Sequence, residues 1–529
     1  MATRYPIIYI RGYAMTEAER NDTTADPFCG FNVGSTLYRA IADKKAKPAK
    51  FVFESPLVRL LTEYQYQHVY QNGSDIVDPD WKPPLDINGN PTQGIPESSI
   101  IVYRYYDDSS TYFGDGRARD IDEYAKGLSA LILAVRELVV ANLAAKKTPI
   151  DRKDFKCFLV AHSMGGLVAR AFLQNPENGC DDARNAVSKF FTFATPHNGI
   201  DMFDANVPRW LSIGEINTFN RDQMASFLNL KDTQGRLGRV DLIPESVLSS
   251  ERIFCMIGTN RGDYEVAEGL SRAFVGHGSD GLVKIANASL CGVIGDRVSE
   301  PAATAYAYRS HSGPFGIVNS EEAYQNLVRF LFGDVRVDLW MDVHSVTLPQ
   351  ALDGKANVEA VYQIELLASP RGKRWYLTRR TAIEDSPACR THSELTFGTL
   401  DRKKIYLSSV FLSKRSRVDQ INTSLAYAMQ VAVKVPDYEI DRVFWANGHF
   451  EGADLLRDSA LLEVTPPDNA NPSGVWEAKY WWASDPDTVE IKPMIFNSGK
   501  TRIEIEMPFA NFRRPGITGA LRLVVRPWS

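Results

Sequence analysis

Cysteine is scarce: six residues in 529, at Cys29, Cys157, Cys180, Cys255, Cys291 and Cys389. They stand too far apart for a zinc cluster or a dense disulfide framework and read mostly as free thiols. Cys157 and Cys255 lie inside apolar runs, where a thiol serves as a small buried side chain. Long runs of one charge sign are also missing. Sixty Lys and Arg against 65 Asp and Glu leave a net charge of −5, spread along the chain. The basic footprint of a nucleic-acid binder is therefore absent, and no nucleic-acid partner is expected. No apolar run reads as long as the roughly 20 residues that cross a bilayer, so no transmembrane segment is expected. The stretch Met1 to Pro6 lacks the basic start, apolar core and cleavage site of a secretory signal. That predicts a cytoplasmic protein, or one exported by a route without a Sec signal peptide. Repeats and low-complexity tracts are absent too. With 44% hydrophobic and 24% charged residues, the composition excludes disorder and suits a globular enzyme.

What is present alternates. Short apolar runs at residues 7–10, 100–105, 155–161, 189–194, 252–257 and 304–308 are bounded by turn residues, as buried parallel strands are. Between them, Arg119 to Ala145 repeats large apolar residues at spacings of three and four, predicting a long core-facing helix, and 164–173 and 320–331 predict two more. The fold class is α/β. Beyond Phe332-Gly333 the period drops to two, at 335–339, 360–367, 404–412, 501–507 and 520–525. The expected organisation is a catalytic α/β domain over 1–333, with an insertion at about 55–98 and a lid-like insertion at about 200–250. An all-β, sandwich-like domain is expected over 334–529.

The segment from Cys157 to Arg170 carries the most chemistry. It reads as a buried strand, a tight turn with Ser163 at its tip, and the start of a helix. A serine on such a strained turn presents its hydroxyl above the sheet, and only small residues fit two positions before and after it, here Ala161 and Gly165. Gly166 lets the helix approach the sheet. The backbone N–H of Met164, at the positive end of that helix, is placed to face an oxyanion. The plainer alternative is that Ser163 is only a helix N-cap.

On these residues the sequence resembles bacterial lipases and esterases of the α/β-hydrolase superfamily, and further segments match in the family's order. Pro6 to Tyr13 is similar to the first strand and oxyanion loop, with Arg11 in place of the usual histidine. The resemblance implies Tyr13 as the second backbone oxyanion donor. Thr195-Pro196-His197-Asn198-Gly199 is similar to a supporting strand end of that family, which implies a structural role for His197. Ser279-Asp280-Gly281-Leu282-Val283 is similar to the segment holding the triad acid, implying Asp280. Arg309-Ser310-His311-Ser312-Gly313 precedes the last helix and implies His311 as base, with His277 the next choice. The order Ser163, Asp280, His311 is the one this fold uses.

The implied reaction is hydrolysis of acyl or lipid esters by a Ser–His–Asp triad through an acyl-enzyme. It needs no cofactor. Asp263, His277 and Asp296 lack ligand spacing, so no metal is expected. The expected partners are a small-molecule or lipid ester and a lipid interface. The region 200–250 contains Phe203, Val207, Trp210, Leu211, Ile213, Ile216, Phe219 and Met224, either as a moving lid or as a permanently packed insert. Trp445, Trp476, Trp481 and Trp482 of the β-rich half form either a binding platform or core. Two other functions stay open: acyl transfer or amide or thioester hydrolysis with the same triad, and a non-catalytic binding protein on this scaffold.

Overall fold

The computed structural model describes residues 4–12, 36–39, 49–52, 56–69, 85, 87–90, 93–103, 105, 119–202, 205–206, 219–261, 278–312, 316–355, 357–416, 424–440, 448–465, 475–495 and 502–529. Two compact units emerge: Met1–Thr304 with Arg309–Tyr324, and Ala305–Tyr308 with Gln325–Ser529.

The first unit is built on a seven-stranded sheet of β1 (Ile7–Ile10), β2 (Gln67–His68), β3 (Ser99–Tyr103), β4 (Cys157–His162), β5 (Val187–Phe193), β6 (Ile253–Gly258) and β7 (Ala303–Ala307), the last of which belongs to this unit only at Ala303 and Thr304. Their spatial order is β7-β6-β5-β4-β1-β3-β2. Every pairing from β2 across to β6 is parallel. β1, β4 and β6 are buried at every residue, which is why they read as continuous apolar runs: a parallel strand covered on both faces has no solvent side to mark with polar residues.

The helices follow from the same core. In α2 (Ile121–Ala145) the buried face carries Tyr124, Leu128, Leu131, Ile132, Val135 and Val139, and Asp122 and Glu123 sit in the first turn, where they complement the helix dipole. By length and composition α2 is long and apolar enough to cross a membrane, contrary to the expectation that no segment comes near it. Its apolar stripe lies in the hydrophobic core of this unit, which accounts for that composition. α3 (Met164–Gln174) leaves the end of β4 and is buried along its whole length.

The stretch expected as an insertion at 55–98 contributes to the fold. α1 (Pro56–Tyr64) buries Leu57, Leu60 and Tyr64, Arg59 pairs with Glu321 at 2.6 Å, and Gln67–His68 is the edge strand of the sheet. In the region expected as a lid, α4 (Arg221–Phe227) is capped by the Asn220 side chain and is followed by α5 (Lys231–Leu237). Phe219, Met224, Ala225, Leu228 and Leu230 are built into the core. Phe203, Val207, Trp210, Leu211, Ile213 and Ile216 lie outside the described residues.

The second unit is an antiparallel all-β region. A four-stranded sheet runs Lys404–Leu412, Val335–Thr347, Gly516–Pro527, Ile503–Asn511, and a seven-stranded sheet contains Val358–Pro370, Leu425–Ile440 and Gly448–Thr465 at its centre. Val335, Val337, Leu339 and Met341 from the first sheet and Tyr362, Leu366, Val431 and Val433 from the second share one core, so the two sheets form a sandwich. Trp476 is part of that core, and Trp482 packs edge-on to Phe509 while its Nε1–H donates to the Pro508 carbonyl. Trp445 lies outside the described residues. The division between units falls inside α6 (Glu321–Phe332). The end of α6 packs with the second unit: Phe330 is edge-on to Phe411, and its carbonyl accepts from Trp528 Nε1 at 2.7 Å.

Candidate active site

Ser163 is the residue between β4 and α3, with φ 51° and ψ −126°. A non-glycine residue rarely adopts this conformation, and it persists only where the surroundings hold it. They do. The Ser163 amide donates to the Phe193 carbonyl at 2.9 Å, and its carbonyl accepts from the Gly166 amide. Gly165 sits so close to the end of β1 that a Cβ there would lie 2.4 Å from both the Ile10 and Arg11 carbonyl oxygens, so only glycine fits. At Gly12 a Cβ would come 2.6 Å from the Ser163 Cβ. The Ser163 side chain makes no capping bond to α3, which removes the N-cap alternative.

The hydroxyl is engaged elsewhere. His311 Nε2 lies 2.9 Å from Ser163 Oγ, and His311 Nδ1 lies 2.9 Å from Asp280 Oδ2. The other carboxylate oxygen, Oδ1, accepts the backbone N–H groups of Leu282 at 3.0 Å and Val283 at 2.8 Å, which fixes the plane of the acid. The His311 amide also donates to the Asp280 carbonyl at 3.0 Å, tying the two loops together. All three side chains are buried. The loops follow β4, β6 and β7, so the groups gather beyond the carboxyl ends of the strands, where open α/β sheets place their sites.

Support comes from residues that the sequence does not reveal. His162, next to the serine in the chain, points its Nε2 at the carbonyl of His311, 2.9 Å distant. Burial, aided by the nearby His311 and Arg11, pushes its pKa well below the usual histidine range, so it is neutral. Tyr105 donates its hydroxyl to the Arg11 carbonyl at 2.6 Å, bracing the loop that follows β1. Met164 contributes the first amide of α3, one of the N–H groups a helix cannot pair within itself. Tyr13 lies outside the described residues, as do His277 and Asp263.

His197 is not brought to the serine. Its Nε2 lies 3.2 Å from Thr192 Oγ1, its carbonyl accepts from Arg170, and burial followed by the Arg170 charge depresses its pKa strongly. Arg170, fully buried in α3, donates to Gln174 and to the carbonyls of His197, Val240 and Leu242. It is a structural clamp, with its pKa pushed down to about 9 by desolvation.

A parallel sheet, a serine on a strained turn between its central strand and the next helix, and a histidine and aspartate on later loops define the α/β-hydrolase fold. Residues 122–231 match the family of PGAP1-like alpha/beta domains. No curated protein matches the chain. Among solved structures, the mature lipase BlEst2 of Bacillus licheniformis is similar at 13% identity and a TM-score of 0.28, over 62% of this chain and 92% of its own. Phospholipase PlaB from Legionella pneumophila is similar at 14% identity and a TM-score of 0.29, over 85% of this chain and 90% of its own. Likeness at this level assigns no residue a role.

Proposed function

We propose that the protein is a serine carboxylic ester hydrolase, acting on acyl or lipid esters through Ser163, His311 and Asp280. The observation that carries this reading is the unbroken chain Ser163 Oγ, His311 Nε2, His311 Nδ1, Asp280 Oδ2, with both contacts at 2.9 Å. His311 takes the hydroxyl proton at Nε2 as Ser163 Oγ bonds to the ester carbonyl carbon. Asp280 holds the ring with Nδ1–H toward itself and stabilises the imidazolium. The Met164 amide, with Tyr13 as proposed second donor, receives the oxyanion. On collapse, the C–O bond breaks and His311 returns the proton to the departing alcohol. Water then adds to the acyl-enzyme by the same route, releasing the acid and restoring Ser163.

Hydrolysis of p-nitrophenyl esters of increasing chain length tests it. Wild type is expected to turn over, and Ser163→Ala and His311→Ala to lose about 10⁴-fold or more in kcat. An inert but folded wild type would favour acyl transfer or a binding role. A chain-length optimum among the long esters would place it with lipases, and one among the short esters with esterases.

A further inference from the structure

The second unit carries exposed apolar side chains at one end of its four-stranded sheet. The register fixes which end. Thr347 lies opposite Gly516, Asp342 opposite Lys404, and Asn511 opposite Ile517. The turn at 512–515 therefore sits beside the end of strand Val335–Thr347, and the chain entering Lys404 lies toward the same end, five residues back along that strand at Asp342. Two turns cap it. The first is a corner between the short helices His392–Thr396 and Leu400–Lys403, both packed on that strand, and it presents Phe397 and Leu400, 87% and 76% exposed. The second is the turn itself, with Phe512 87% exposed.

Neither turn is loose. Thr391 and Glu394 form a capping box at the start of the corner, Leu395 is buried beneath it, and Arg402 reaches back to Glu394 Oε1 at 3.3 Å. In the turn, the Arg513 amide donates to Asn511 Oδ1, Asn511 Nδ2 donates to the Leu455 carbonyl, and Thr347 Oγ1 donates to the Arg513 carbonyl. The backbone is thus fixed while large apolar groups on both turns face water.

Charge indicates the partner. Lys404 and Arg513 are exposed next to these side chains and make no ion pair among the described residues. Arg402 and Arg514 are paired at the surface with Glu394 and Asp353, and Asp401 is also present. Apolar tips on separate turns with cations beside them do not form the continuous packed centre that a protein interface requires. They suit a bilayer, where each tip enters the boundary of headgroups and acyl chains independently while Lys and Arg meet anionic headgroups. We infer that this end of the second unit docks on an anionic phospholipid surface through Phe397, Leu400 and Phe512. This goes beyond the ester-hydrolase reading, and it is tested by binding rather than turnover, so either can fail alone.

The test is co-sedimentation of the full chain with phosphatidylcholine vesicles, with and without phosphatidylglycerol, at low and high salt. Wild type is expected to partition onto the anionic vesicles and to be weakened by salt. The variant Phe397→Ser/Leu400→Ser/Phe512→Ser is expected to lose at least roughly tenfold in partitioning. Lys404→Glu/Arg513→Glu is expected to lose roughly tenfold on anionic vesicles only. The positions are exposed, so circular dichroism and the thermal midpoint should stay unchanged. Absence of vesicle binding by wild type, equal binding to neutral vesicles, or unaltered binding by the triple variant would overturn the inference. Self-association lost in the triple variant, without vesicle binding, would overturn it in favour of a second copy on this surface.

Discussion

His162 and His197 are sealed from solvent, and both rings are held neutral because burial disfavours the imidazolium. Their folded pKa values lie below the ordinary 6.5, so as the pH falls below about 6.5 the unfolded chain takes up protons that the folded chain refuses. Stability is present above that value and is lost as the pH falls toward the folded values, at up to about 1.4 kcal/mol per pH unit for each ring. Thermal midpoints measured across this window should fall with acid, and less steeply in His197→Gln. Lys189 behaves with the same sign at higher pH: burial pushes it down to about 7, with the Arg252 charge adding to the effect. Between about 7 and its ordinary 10.5 the unfolded chain holds the extra proton, so stability rises with pH through that window. Lys189→Met is expected to raise the midpoint at pH 7 and to flatten this rise. A variant with the same slope as wild type would contradict the assignment. At the candidate site, the coincidence of strand, small residues and helix marks Ser163 in the sequence, whereas Asp280 and His311 are suggested only by the resemblance of their segments and its chain order. The contact of His162 was not legible, since its partner carbonyl is 149 residues away and no local pattern encodes it.

Between elements, the junction of β1, β4 and α3 shows how the sequence enforces its geometry. Gly165 faces two backbone carbonyl oxygens at the end of β1 at a distance no Cβ tolerates. Gly165→Ala should therefore displace either α3 or the loop after β1, with a loss of about 1–3 kcal/mol in stability. A fall in kcat beyond what the lost stability explains is also expected. Unchanged melting and unchanged kcat together would refute the constraint. Arg170→Leu strips donors from three buried carbonyls at once and is expected to destabilise by roughly 3–5 kcal/mol, read by urea unfolding. The buried strands were readable because their apolar runs are continuous. Gln67–His68 was not, because two residues carry no period and only pairing with β3 makes them a strand. Asp485–Met494 was missed for another reason: nine of its ten residues are at least partly exposed, so there is no alternation to read.

Among the described residues, the two hydrophobic cores share no residue. Leu523 belongs to the second and is fully buried, so Leu523→Ala is expected to cost about 2–5 kcal/mol there. By calorimetry, the variant should shift the transition of the second unit and leave that of the first in place. A single transition shifted as a whole would show the cores to be coupled. The change from helical to strand periods near residue 333 was visible in sequence because it is a change of class. The division inside α6 was not, because the helix keeps one period while Phe330 at its end turns to Phe411 and Trp528.

The central claim is that Ser163 is a nucleophile activated by His311, and covalent labelling reads this without choosing a substrate. The full chain is treated with a fluorophosphonate and digested, and the modified peptide is located by mass spectrometry. The account predicts one adduct on Ser163, formed by wild type and reduced by about 10³-fold or more in rate in His311→Ala. No adduct on a folded wild type, or one on Ser163 formed equally fast without His311, would contradict it.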